Sequence, residues 1–127
     1  MRNNTTRFET LYKTALDAGA TAARNITPTP MTVVAHTNPL DDNSPATKSY
    51  FVPDGVCGFG WVSLKGNTAF GRWAKKNGFA RRGYPTGLRI SSKLMTQSLA
   101  RNEAWAEGFA AVLRENGIDA YGQSRID

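Results

Sequence analysis

The stretch VCGFGWVSL, Val56–Leu64, decides the fold. Its alternation puts Val56, Gly58, Gly60, Val62 and Leu64 on one face of a strand and Cys57, Phe59, Trp61 and Ser63 on the other. Two glycines on one face leave a shallow trough where another group can approach the backbone. A packed helix is the simpler occupant and a ligand the alternative. Just upstream, Pro53 presets φ, Asp54 can close an Asx turn and Gly55 accepts positive φ. These residues predict a β-hairpin with arms near 48–52 and 56–64.

Outward from this hairpin, Phe8, Leu11, Tyr12, Ala15, Leu16 and Gly19 recur at helical spacing. A helix is predicted over Thr6–Arg24, opened by a Thr6–Glu9 capping box and ended before Pro28 and Pro30. MTVVAH (31–36) reads as a strand, and TNPLDDNSPA (37–46) as a mobile loop. Thr68 caps a short helix to about Asn77, which Gly78 stops. FARRGYPTG reads as a loop and LRISS (88–92) as a strand. Residues 97–116 form a helix with a Trp105, Phe109, Val112 and Leu113 stripe, closed by Gly117 and Ile118 in a Schellman stop before a last strand.

The order α-β-β-β-α-β-α-β implies an α+β fold: a single small domain over residues 1–127, with one mixed or antiparallel sheet of four to five strands and two to three helices packed on it. Trp105, Phe109, Val112, Leu113, Trp61 and Phe59 are expected to be buried. At 127 residues the chain can bury a core without disulfide or metal. It has no apolar run long enough to span a bilayer, and MRNNTTRFETLY lacks the apolar core of a signal peptide, so no membrane partner is expected.

Charge is the strongest functional signal. The chain nets +6, yet residues 65–93 hold eight cations, Lys65, Arg72, Lys75, Lys76, Arg81, Arg82, Arg89 and Lys93, and no carboxylate. Such a segment, interleaved with Trp73, Phe79 and Tyr84, is the footprint of a surface that meets polyanions. The expected phosphate contacts to DNA or RNA are Lys75, Lys76, Arg81, Arg82 and Arg89, with Tyr84 as a stacking platform. Trp73 reads as core, and Phe79 fits a hydrophobic helix-stop contact. The alternative is a solvated face, or one neutralised by Glu103, Glu107 and Glu115 of the last helix.

Catalytic chemistry is not legible. One cysteine, Cys57, and one histidine, His36, supply too few ligands for a zinc site, and nothing local pairs them as nucleophile and base. GVCGFG sits within a strand arm and is not followed directly by a helix, so it meets neither phosphate-loop fingerprint. No cofactor, metal or catalytic residue is expected.

Cys57–Val62, Phe70–Lys76, Ala104–Ile118 and Ser124–Asp127 together resemble a group of small uncharacterised proteins encoded by tailed bacteriophages. The shared pattern is a Cys-Gly-Phe-x-Trp-Val arm, a Trp-containing helix with a basic exit, an alanine-rich helix ending in Gly-Ile, and a terminal Ser-Arg-x-Asp. The match covers residues from about 50 onward. The resemblance implies a phage origin and no mechanism, and such small proteins serve as nucleic-acid-binding accessories, virion components or host-takeover factors. The basic segment favours the first, and the alternative is a virion or takeover role in which it meets an acidic phage or bacterial protein. Either would work in the bacterial host cytoplasm or packaged in the virion.

Overall fold

The computed structural model describes residues 2–36, 40, 43, 46–52 and 55–127. Among them the order is α1 (Arg2–Asn25), β1 (Met31–His36), β2 (Ala46–Val52), β3 (Gly58–Leu64), α2 (Ala69–Lys76), β4 (Arg81–Arg82), β5 (Leu88–Ser91), α3 (Leu99–Glu115) and β6 (Ala120–Ile126). The fold is α+β, as expected, and the strand pairing is antiparallel throughout. The strands form two sheets rather than one: a β1–β2 ribbon and a four-stranded sheet ordered β4-β5-β3-β6.

This division corrects the predicted hairpin. A tight reversal does follow β2, where the Gly55 amide donates to the Val52 carbonyl at 3.1 Å and Gly55 has φ +73°. Yet β2 pairs with β1, with Met31 opposite Val52, and β3 is flanked by β5 and β6. A strand has two edges, and both edges of β3 go to partners whose apolar side chains alternate in step with its glycine face. Pro53 and Asp54 lie outside the described residues. So does most of the predicted 37–46 loop, of which Leu40, Asn43 and Ala46 are described, the last opening β2.

α1 starts at Arg2, so Thr6 lies inside the helix and the Thr6–Glu9 capping box does not form. No proline or glycine blocks the extra turn, and extending an existing helix costs far less than nucleating one. The other signals hold. Thr68 and Ser98 accept from the amides of Gly71 and Arg101 at the starts of α2 and α3. Both helices end in Schellman stops: Phe79 donates to the Ala74 carbonyl at 2.8 Å and Ile118 to that of Leu113 at 2.9 Å.

The trough on β3 holds α3. A Cβ on Gly60 would collide with the backbone carbonyl of Asn102, and one on Gly122 of β6 would come within 2.8 Å of the Glu107 nitrogen. On the far side of α3 lies α1, where Gly19 meets Trp105 and Gly108 meets Ala18 and Ala22. The core between these layers is filled by Trp105, Phe109, Leu113, Phe70, Val62 and Ile90. Tyr12 stacks on Phe79 with centroids 4.2 Å apart, which assigns Phe79 to the packed side.

Burial therefore follows the helix-covered face. Trp105, Phe109 and Leu113 are buried as expected, Val112 and Trp61 are half-buried, and Phe59 is 49% exposed. Phe59 is the clear correction: it alternates with the glycines, so it faces away from α3. Buried Asn102 ties the 92–98 segment to β3, donating to the carbonyls of Gly58 and Thr96 and accepting from the Ser92 hydroxyl at 2.7 Å. Among the described residues no helix is long and apolar enough to cross a membrane.

Gly60→Ala should destabilise the protein by roughly 1–3 kcal/mol or more in urea unfolding, because backbone must move to admit the methyl. Gly66→Ala, whose nearest neighbour across the new methyl would be Leu88 at 3.7 Å, should stay within about 0.5 kcal/mol of wild type.

Candidate functional site

α3 occupies one face of the four-stranded sheet, and the pleat sends the alternate side chains to the other. Paired residues share a face, so Arg81, Arg89, Ser63 and Tyr121 form one row across all four strands. Ser91, Trp61 and Gln123 form the next, and Phe59 and Arg125 a third. Two aromatic rings thus stand on the central strand with arginines on both neighbours.

The arginines lie on the rings. The guanidinium carbon of Arg89 is 4.3 Å from the Trp61 ring centroid, and that of Arg125 is 5.6 Å from the centroid of Phe59. Trp61 Nε1 donates to Gln123 Oε1 at 3.1 Å, and the Ser63 hydroxyl donates to the same oxygen at 2.6 Å, which fixes the indole plane. A guanidinium over an exposed ring contributes about 0.5–1 kcal/mol, whereas a stacked nucleobase contributes roughly 1–3 kcal/mol.

Two recesses open on this face. A groove of about 340 Å³ is lined from this face by Phe59, Trp61, Arg89 and Arg125, and from the 92–98 segment and α3 by Leu94, Thr96 and Asn102, with Asp127 at its rim. A second recess of about 230 Å³ is lined by Gly78, Phe79, Arg81, Arg89, Ser91 and Lys93. Arg89 and Ser91 line both recesses. Arg81, Arg89 and Lys93 converge on the second recess, and no carboxylate is among its lining residues.

Of the residues predicted to bind, the fold brings Arg81 and Arg89 together. Arg82 falls opposite Leu88, on the other side of the pleat, and is exposed at the sheet edge. Lys75 and Lys76 are exposed on the last turn of α2, just before the Gly78–Phe79 wall of the second recess. Tyr84 is 91% exposed in the β4–β5 connection and lines neither recess. Trp61, Phe59, Gln123 and Arg125 join the site unpredicted. The alternation of Val56–Leu64 carried the signal, since the face opposite the glycine trough is the one a single packed helix leaves bare.

Two of the three acids of α3 have partners outside the cluster. Glu107 pairs with Arg114 and Glu103 accepts from Ser124. Among the described residues Lys65 alone of the eight cations pairs with a carboxylate, Asp119, at 3.2 Å. Hydrogen bonds from the Tyr121 hydroxyl and from Lys65 hold the Asp119 carboxyl below its ordinary range, and the same carboxylate pushes the Tyr121 phenol up. Cys57 is half-buried, its carbonyl accepting from the Asp127 amide at 3.1 Å. No group of three or more His, Cys, Asp or Glu side chains fit to hold a metal ion occurs among the described residues. The arrangement offers stacking surfaces and anion contacts. Comparison of the chain with protein-family models, curated proteins and solved structures returned no match.

The Asp119–Tyr121 pair gives a pH test. The depressed carboxyl stabilises the fold at neutral pH, and its contribution is lost as pH falls through the acid range. The raised phenol stabilises the fold below its ordinary value of 10.0, and that contribution is lost as pH rises past it. Asp119→Asn should bring the Tyr121 titration, followed by the chemical shifts of its ring, back toward 10.0.

Proposed function

We propose that this protein binds nucleic acid through its basic face, residues 65–93, largely without sequence readout, as an accessory protein of a tailed bacteriophage. It would act in the bacterial host cytoplasm or packaged in the virion. The observation that carries the reading is the convergence of Arg81, Arg89 and Lys93 on one recess lined by no carboxylate. Arginine forks suit phosphate oxygens, and contacts to phosphate position a ligand without reading its sequence. Lys75, Lys76 and Arg82 extend the positive surface around this centre, with Tyr84 beyond them. Lys65, paired with Asp119, adds little.

A second reading, contact with an acidic phage or bacterial protein, draws on Val34 and Phe51, both exposed on one face of the β1–β2 ribbon. Ionic strength separates the two. Five phosphate contacts give a log–log salt slope near −4.5 on duplex DNA, at roughly −0.9 per contact. Arg81→Ala with Arg82→Ala should weaken binding across unrelated sequences and make that slope shallower by about 2. Both side chains are exposed, so the melting temperature should hardly change. Fluorescence anisotropy over a salt series reads both numbers. A double variant that binds as wild type would hand the lead to the protein-partner reading.

A further inference from the structure

Resting on that reading, we infer that the ligand is a single strand lying across the open face of the sheet, with neighbouring bases stacked on Trp61 and Phe59. Paired bases hide their faces against each other, so a duplex can use the cations but not the rings. The two rings sit two residues apart on β3, roughly 7 Å, a spacing that serves two separate bases rather than one. Each is covered by an arginine from a neighbouring strand, Arg89 from β5 and Arg125 from β6. A base that takes the place of either guanidinium leaves it beside the strand, where it meets the adjoining phosphate.

Preorganisation and charge point the same way. Gln123 holds the Trp61 indole plane before any ligand arrives. Of the two recesses that share Arg89 and Ser91, the one lined by Arg81 and Lys93 holds no carboxylate, and the other is lined by Arg125 and by Asp127, the single acidic residue in the two linings. Phosphates are drawn most strongly to the recess lined by cations alone, which places most of the backbone along β4 and β5 and directs the bases toward β3, with Arg125 meeting the phosphate next to Phe59.

The test compares a fluorescein-labelled oligothymidylate of about 12 nucleotides with a duplex of the same length. The single strand should bind more tightly. Phe59→Ala and Trp61→Ala should each weaken it by roughly 5- to 150-fold, with the duplex little changed, and Trp61→Phe should retain most of the affinity. In case the alanine variants fold poorly, tryptophan emission of the wild-type protein supplies a second readout. The oligothymidylate should quench it, and Trp61→Phe should abolish the quenching while Trp73 and Trp105 remain. Equal affinity for both probes, or quenching that survives in Trp61→Phe, overturns the stacked single strand and leaves the phosphate-binding reading standing. Binding of neither probe overturns both.

Discussion

Asn102 and Glu107 of α3 lie directly against the backbones of β3 and β6, because Gly60 and Gly122 present no side chain to hold them off. A helix seated this low buries its own stripe, Trp105, Phe109 and Leu113, against α1 as well as the sheet. It also gives β3, β5 and β6 a packed side and a bare side. The bulk that β3 does carry, Phe59 and Trp61, goes to the bare side by the pleat alone. The site is thus the geometric complement of the core.

Local chemistry was legible in the sequence and long-range pairing was not. Thr68, Gly78, Gly117 and Ile118 act where their types and spacing place them, since caps and stops depend on hydrogen bonds within a few residues. Gly55 likewise turns the chain. A turn, though, states that the chain reverses and not which strand lies alongside afterwards. That choice rests on matching faces with β5 and β6, which are distant in sequence. Phe59 departs from its expected burial for a related reason: hydrophobicity argues for burial, but burial needs a covering element, and α3 lies on the other side.

The charge pattern shows both effects at once. Eight cations in one segment are visible in one dimension, but the pleat separates Arg81 from its neighbour Arg82, and Asp119 removes Lys65 from the account. Arg125, from the end of the described chain, enters the face only because β6 pairs with β3. Linear clustering located the region. Strand register selects which of its members work together.

The β3–β6 ladder joins partners distant in the chain, with Trp61 and Gln123 separated by 62 residues. Closing so long a loop costs conformational entropy before any contact offsets it. The helices and the short β4–β5 hairpin are local, so they can form first, while one edge of the central strand waits for its partner. During synthesis from the N-terminus that edge, carrying Phe59 and Trp61, stays open until β6 has emerged, and such an edge can recruit a foreign strand. The arginine over Phe59 arrives on β6 itself, so the final pairing step both seals the edge and covers the ring.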